Sequence, residues 1–212
     1  DLFNTVIQCG AVLAVVALFT QRVRQLVVEW RGPASRRYLS RLAVAFVITA
    51  VGAVILKGAG LTLPETAGPV AWATLIGGVV IFGVERQVRG RPGQAEISWT
   101  AAVVVGLFQL VAAAFPGTSR SGATILAAMV VGTSRTAATE FSFFLAVPAM
   151  LGASLIKLVG HRGAIALSDV PLFGVGFFVS FVVSLFVIRG LLSFVSGHSF
   201  NVFAWYRILF AL

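Results

Sequence analysis

Long apolar runs alternate with short polar segments along the whole chain. Most of these runs approach the roughly 20 residues that an α-helix needs to cross a membrane. The pattern predicts an all-α fold, a polytopic integral membrane helical bundle that forms a single transmembrane domain over residues 1–212. The expected spans are residues 2–19, 42–59, 70–84, 98–115, 141–159 and 171–188, with a further apolar run after Phe200.

One predicted span is followed by an interruption. Residues 98–115 are apolar and long enough to cross, but Pro116 and Gly117 end the helix. The next apolar piece, residues 123–131, is about 14 Å long as a helix, less than half of a hydrocarbon core of about 30 Å. Irregular backbone at membrane depth is tolerated only where protein buries it or where it lines a wet cavity. The pattern therefore predicts a re-entrant pair of broken helices.

The positive charges predict the topology of the bundle. Arg residues are concentrated in two predicted loops, residues 20–41 and 85–96, whereas the polar segment around Glu65 has none. Two spans separate the Arg-rich segments, so both can face the cytoplasm while the Glu65 segment faces outward. A broken helix pair that returns to its starting side also leaves Arg135 in the cytoplasm. The net charge of +9 is therefore read as a positive-inside bias and not as a nucleic-acid surface.

The composition excludes a soluble domain. Hydrophobic residues make up 58% of the chain and charged residues 11%, with a mean hydropathy of +0.99, whereas soluble domains average about 25% charged residues. Cys9 is the single cysteine, so no internal disulfide can form, and we expect it to pack as a small apolar residue. Because the chain begins with Asp1 and ends within an apolar run, we expect it to be incomplete at both ends.

The interruption has the composition of an anion site. In PGTSRSGAT, residues 116–124, Gly117 permits a tight turn, and Ser121 is expected to cap the next helix. The free N–H groups of that helix point back at the break, and Arg120 offers a permanent charge with a fork of donors. Hydroxyl donors come from Thr118, Ser119, Ser121 and Thr124. This combination favours phosphate binding.

A structural role for the same residues must be weighed. Ser and Thr in membrane helices often bond back to the backbone, and Gly and Pro are common there. The hydroxyls alone would favour that interpretation. Arg120 favours function, because an Arg at membrane depth costs at least about 2.5 kcal/mol and such residues usually mark a substrate pathway.

Several stretches of the chain resemble one bacterial family. They are PGTSRSGATI followed by SRTAATEFSFFLAVPAM, with FNTVIQCGAVLAVV upstream and FAWYRI near the end. Together they closely resemble the undecaprenyl-diphosphate phosphatase family, which is associated with bacitracin resistance. The resemblance covers nearly the whole chain. It implies an integral membrane enzyme that hydrolyses undecaprenyl diphosphate to undecaprenyl phosphate plus phosphate, which recycles the lipid carrier of cell-wall synthesis.

The resemblance also implies a location and a set of site residues. The family's enzymes are multi-pass proteins of the bacterial cytoplasmic (inner) membrane whose active site faces the periplasmic, outer side. Arg120 and Ser119 are expected to be catalytic, with Arg120 stabilising the charge that grows on the diphosphate. The expected phosphate-binding residues are Gly117, Thr118, Ser119, Arg120, Ser121 and Thr124.

The chain departs from the family pattern in one respect. Members carry two Glu four residues apart and then a Pro-Val-Ser-Ser-Thr-Gly-His stretch before the VIQ segment, and neither motif occurs here. The resemblance implies a divalent cation, Mg²⁺ or Ca²⁺, whose carboxylate ligands we expect in a missing N-terminal re-entrant hairpin. No metal ligand and no nucleophile are assigned in this chain.

Two other functions, a phosphatase of a different class and a lipid transporter, make different demands on the sequence. A phosphatase of the phosphatidic-acid type needs a His followed four residues later by Asp, but His161 and His198 are followed at that distance by Ile165 and Val202. A transporter or flippase of isoprenoid lipid phosphates stays an alternative, because transporters also build sites from broken helices. The expected partners are undecaprenyl diphosphate and the lipid bilayer, with no nucleic acid, and a homo-oligomer stays open.

Five polar residues outside the motif receive other roles. Gln109, in the middle of a predicted helix, is expected to bond a neighbouring helix. Glu140 is expected to support a helix start, and His161 and His198 to anchor span ends at the membrane interface. Arg207 can either reach the interface or face the cavity, and the sequence leaves both open.

Overall fold

A computed structural model of the protein describes residues 2–60, 66–160 and 170–212, and these residues are almost entirely α-helical. The predictions made for Glu65 and His161 lie outside the described residues. The described helices are α1 (Leu2–Leu18), α2 (Thr20–Val28), α3 (Pro33–Gly58), α4 (Ala67–Val88), α5 (Trp99–Ala114), α6 (Arg120–Val130), α7 (Arg135–Gly160), α8 (Val170–Gly197) and α9 (Asn201–Ala211).

Four of these helices, α3, α4, α7 and α8, are long and apolar enough to cross a membrane. Their large apolar side chains are widely exposed, as Val54 on α3 and Phe186 on α8 show, with exposed fractions of 72% and 74%. Such faces suit lipid contact, since hydrocarbon rather than water surrounds a spanning helix. The prediction of a multi-pass helical membrane protein is confirmed. The single domain over residues 1–212 stays a prediction.

The Arg-rich segment 20–41 is not a loop, and this part of the prediction was wrong. Residues 20–28 form α2, which bends away from α1 by 78°. Helix α3 begins at Pro33, nine residues before the predicted start of that span, so Arg36, Arg37 and Arg41 are helical. Arg is a good helix former and Pro fits the first helical position, so the helix continues beyond its apolar part.

The chain divides into two compact units, one formed by Asp1–Arg36 with Phe143–Ser193 and the other by Arg37–Ser142 with Phe194–Leu212. In the first unit, α1 packs closely against α8. The hydroxyl of Ser180 donates to the Ile7 carbonyl at 2.6 Å, and a Cβ added at Gly10 would lie 2.5 Å from the Phe177 carbonyl oxygen. Small residues thus let the two helix backbones approach, as is common in membranes.

The second unit contains the interrupted pair α5 and α6, which pack against each other. Gln94, before α5, bonds to the segment after α6: its N–H donates to the Gly132 carbonyl at 2.8 Å and its carbonyl accepts from Ser134 N–H at 2.9 Å. The entry and exit of the pair therefore lie side by side. With only 11 residues, α6 is about 16 Å long and cannot cross a bilayer. The predicted helical hairpin is confirmed.

A buried carboxylate joins three helices of this second unit. Glu85 on α4 is 5% exposed, and its Oε1 accepts from Arg135 Nε at 3.1 Å and from the Phe200 N–H at 2.9 Å. A second bond joins Arg135 Nη2 to Glu85 Oε2. Arg135, which was expected to lie in the cytoplasm, begins α7 and is paired with Glu85. The ends of α4, α7 and α9 are thus tied together.

Glu85→Gln leaves the partly buried Arg135 without its counter-charge. Breaking a buried pair costs about 3–5 kcal/mol, and because Arg135 is partly exposed we expect a loss of about 3 kcal/mol. The midpoint of thermal unfolding in detergent should fall accordingly. Glu96→Gln is the matched control: the Glu96 side chain is 71% exposed and lies 3.6 Å from Arg37, so about 1 kcal/mol or less is expected. Equal shifts in the two variants would contradict the role of Glu85.

Candidate functional site

The turn between α5 and α6 is built around Gly117. Its φ of +92° lies in a region that side-chain-bearing residues rarely adopt. A Cβ at this position would also collide with the Val70 carbonyl on α4. The adjoining Thr118 N–H donates to the Phe115 carbonyl at 3.0 Å, which closes the turn. Gly117 is therefore required both by the backbone conformation and by the close approach to α4.

Ser119, and not Ser121, caps helix α6. The Ser119 hydroxyl accepts from the Gly122 N–H at 3.1 Å, and Ser119 has the extended backbone of an N-cap residue. The prediction of Ser121 as N-cap was wrong because the helix begins two residues earlier, at Arg120. The N–H groups of Arg120 and Ser121 donate to no other described residue. They are the free donors expected at a helix N-terminus.

Arg120 and Ser121 present their side chains at this end of α6. Both residues are exposed, and the guanidinium of Arg120 has no hydrogen bond or ion pair with another described residue. The Ser121 hydroxyl lies 3.5 Å from that of Ser119. A free guanidinium, two neighbouring hydroxyls and two free backbone N–H groups thus lie together at a positive helix terminus. This arrangement suits an anion with several oxygens.

Thr124 is placed differently from the other motif residues. It is 2% exposed, one turn inside α6, and its hydroxyl lies 3.0 Å from the Arg120 carbonyl and 3.1 Å from the Ser121 carbonyl. The same hydroxyl lies 2.6 Å from that of Ser142 on α7. Direct phosphate contact by Thr124 stays a prediction, but these bonds join the first turn of α6 to α7. Sequence reasoning missed Ser142.

Arg207 on α9 is directed at the turn. Its Nη2 donates to the Gly117 carbonyl at 2.9 Å and lies 3.4 Å from the Ala73 carbonyl. The Thr74 hydroxyl lies 3.4 Å from the same Gly117 carbonyl. The guanidinium of Arg207 therefore contacts the backbone of the turn and of α4, and its expected position at the interface or facing the cavity stays a prediction. The signal in the sequence was a lone Arg within an apolar run.

Two other predicted residues have clear positions. Gln109 is 4% exposed, and its side-chain oxygen accepts from the Thr49 hydroxyl of α3 at 3.0 Å, so its expected bond to a neighbouring helix is confirmed. His198 follows the end of α8 and stacks on Phe194 with ring centroids 4.6 Å apart. Its interfacial role and the helix-start role of Glu140 stay predictions.

The described residues do not fit a divalent cation site. Within residues 2–60, 66–160 and 170–212, no three side chains of His, Cys, Asp or Glu lie close enough together to hold a metal ion. The donors around the α5–α6 turn are hydroxyls and guanidinium groups, whereas Mg²⁺ and Ca²⁺ are bound through carboxylates, carbonyls and water. The chemistry of this turn therefore suits an anion.

The fold and this site together define a class: helical membrane proteins in which an interrupted helix presents cationic and hydroxyl groups. Comparison with known proteins gives the particular family. A family model described as bacitracin resistance protein BacA matches residues 1–212. The chain therefore belongs to the BacA family.

Named relatives match almost the whole chain. The undecaprenyl-diphosphatase of Rhizobium johnstonii is 45% identical over 99% of this chain and 80% of its own length. That of Xylella fastidiosa is 40% identical over 100% of this chain and 82% of its own length. That of Xanthomonas euvesicatoria is 41% identical, with coverages of 99% and 80%.

Ser119→Ala removes the cap of α6 and should destabilise the protein by about 1 kcal/mol, which is the usual value of such a cap. Ser121→Ala is the matched control, because the Ser121 hydroxyl accepts no helix N–H. The midpoints of thermal unfolding of both variants in detergent test this assignment. A larger drop in Ser121→Ala than in Ser119→Ala would return the cap to Ser121.

Proposed function

We propose that this protein is a membrane phosphatase that hydrolyses undecaprenyl diphosphate to undecaprenyl phosphate plus phosphate and so recycles the lipid carrier of peptidoglycan synthesis. The relatives' shared name supports this activity. We assign the activity to the turn before α6 because the guanidinium of Arg120 is exposed and unpaired there, at the N-terminus of the helix. A charged group at such a position in a membrane protein needs a ligand of opposite charge.

The terminal phosphate is bound by the first turn of α6. The guanidinium of Arg120 and the N–H groups of Arg120 and Ser121 donate to the phosphate oxygens. The Ser119 hydroxyl already accepts from Gly122 N–H, so its own proton is available to donate. The Thr118 and Ser121 hydroxyls add donors, and Gly117 contributes the tight turn that brings these donors together at the phosphate.

In the net hydrolysis, the oxygen of one water molecule becomes bonded to the terminal phosphorus and the bond from that phosphorus to the bridging oxygen breaks. The bridging oxygen leaves with undecaprenyl phosphate, and the terminal group is released as inorganic phosphate. Negative charge increases on the oxygens of the transferred group and on the leaving phosphate. Donors fixed in advance around these oxygens stabilise the transition state more than the ground state. Arg120 and Ser119 are therefore the catalytic residues at this turn. Thr124 stays a predicted phosphate-binding residue, and its hydroxyl also holds the first turn of α6 against Ser142.

The turn faces the outer side of the cytoplasmic membrane. Arg86, Arg89 and Arg91 lie just before Gln94, which bonds to the segment after α6. The positive-inside rule places that end of the hairpin in the cytoplasm. Helix α5 is about 24 Å long and carries the turn away from that end. A site near the outer face can accept a diphosphate head group while the isoprenoid chain stays in the lipid.

We also propose that a divalent cation, Mg²⁺ or Ca²⁺, supports the reaction. Its carboxylate ligands would come from outside the described residues, and none of the contacts above depends on it. A homo-oligomer also stays a prediction.

Arg120→Ala should lower kcat/KM for phosphate release from undecaprenyl diphosphate about 10²–10³-fold, because it removes a charged donor from the transition state. Arg120→Lys keeps the charge but loses the fork of donors, so it should retain intermediate activity. Purified full-length protein in detergent, with Mg²⁺ in every sample, is assayed for released phosphate.

Arg89→Ala is the matched control for this assay, since Arg89 is an exposed Arg at the end of α4. It should stay within about twofold of the unchanged protein. Full activity in Arg120→Ala would refute the role given to Arg120. Movement of the lipid across proteoliposomes without phosphate release would instead support a transporter.

A further inference from the structure

Arg207 is a charged residue that the hydrolysis described above does not use. It lies in α9 among apolar residues, where an Arg is costly unless it is paired or bonded. Its guanidinium is directed into the protein: Nη2 donates to the Gly117 carbonyl at 2.9 Å and lies 3.4 Å from the Ala73 carbonyl. The contact with Gly117 joins α9 directly to the phosphate-binding turn.

Helix α4 has a space for this guanidinium. A Cβ added at Gly77 would lie 2.5 Å from Arg207 Nη2 and 3.1 Å from Cζ. A Cβ at the adjacent Gly78 would lie 3.0 Å from the Ala204 carbonyl, one turn earlier in α9. The two glycines therefore let α9 approach α4 and leave room for the planar group between them.

The other end of α9 is also held in place. The N–H of Phe200, the residue before α9, donates to Glu85 Oε1 at 2.9 Å, and Glu85 is paired with Arg135. Arg207 follows Phe200 by seven residues, which is two helical turns, so both contacts lie on one face of α9. The position of Arg207 along α4 is thus fixed independently of its own bond to the turn.

The hydrogen bond from Arg207 to the Gly117 carbonyl fixes the orientation of the peptide plane between Gly117 and Thr118. The Gly117 carbonyl and the Thr118 N–H belong to the same planar unit and point in opposite directions. With its carbonyl bonded to Arg207, this unit keeps the Thr118 N–H on the Phe115 carbonyl at 3.0 Å. The bond also offsets the negative end of a carbonyl dipole beside a site for an anion. Ser119 and Arg120 follow directly from this plane.

We propose that Arg207 is a positioning residue, which holds the Gly117 peptide in the orientation that Ser119 and Arg120 need to bind phosphate. It acts through the turn and does not touch the substrate. The effect on catalysis rests on the proposed phosphatase function, whereas the effect on the turn does not.

The sharpest test keeps Arg207 but fills the space beside Gly77 that its guanidinium occupies. Gly77→Ala should displace the guanidinium, while Gly83→Ala on the same helix is the matched control, because nothing lies within 4 Å of a Cβ there. Amide hydrogen exchange of the peptides covering residues 115–122 is measured by mass spectrometry in full-length protein. Gly77→Ala and Arg207→Gln should both accelerate exchange there at least about tenfold, with other helices unchanged, while Gly83→Ala should not.

The phosphate-release assay adds the catalytic measurement. Arg207→Gln should lower kcat about 10–100-fold with KM changed less than threefold, because the fault lies in aligning donors with the transition state. Arg207→Lys, which can still donate to the Gly117 carbonyl, should recover part of kcat.

Unchanged exchange in the turn of Arg207→Gln, or acceleration in every helix alike, would overturn the positioning role. Loss of activity in Arg207→Gln without any recovery in Arg207→Lys would also count against it. An unchanged protein that releases no phosphate, but whose turn responds as expected, would refute the phosphatase proposal and leave the contact with Gly117 supported.

Discussion

A helix that breaks inside a hydrocarbon layer leaves backbone N–H and C=O groups with no water to bind, and this constraint organises the second unit of the protein. The carbonyl side of the break is satisfied by protein: Arg207 and Thr74 both approach the Gly117 carbonyl. On the N–H side, Ser119 satisfies one donor, and the first N–H groups of α6 stay free. The Gly117 carbonyl is thus bonded within the protein, whereas the first N–H groups of α6 remain able to donate to a ligand. An anion site requires free donors without free carbonyl acceptors beside them.

The charged side chains of the second unit follow the same division between groups that are bonded within the protein and groups that stay free. Glu85 accepts from Arg135 and from the start of α9, so the buried carboxylate and its cation satisfy each other. The guanidinium of Arg207 donates to carbonyl groups of the turn and of α4. Of these three arginines, only Arg120 has a guanidinium with no bond to another described residue. The free charge therefore lies at the turn that we propose binds phosphate, and the other two arginines support the helices around it.

The shortness of residues 123–131 was enough to predict the hairpin. Hydropathy predicted α3, α4, α7 and α8 because lipid imposes one composition over a fixed length, whereas the expected spans 2–19 and 98–115 form the shorter helices α1 and α5. It misplaced the start of α3, because Arg residues continue a helix as well as apolar residues do. Motif chemistry identified Arg120 and its neighbours, but not the cap at Ser119, which depends on where α6 begins. The partners Glu85–Arg135, Thr124–Ser142 and Arg207–Gly117 are at least 18 residues apart in sequence, and only folding brings them together.

The central claim is that the interrupted helix pair binds the terminal phosphate of the lipid. An experimental structure of the full-length protein with a non-hydrolysable methylene analogue of an isoprenoid diphosphate tests it most directly. The terminal phosphate should lie within about 3 Å of the Arg120 guanidinium and of the N–H groups that begin α6. A diphosphate bound elsewhere, with Arg120 still free of any phosphate oxygen, would contradict it.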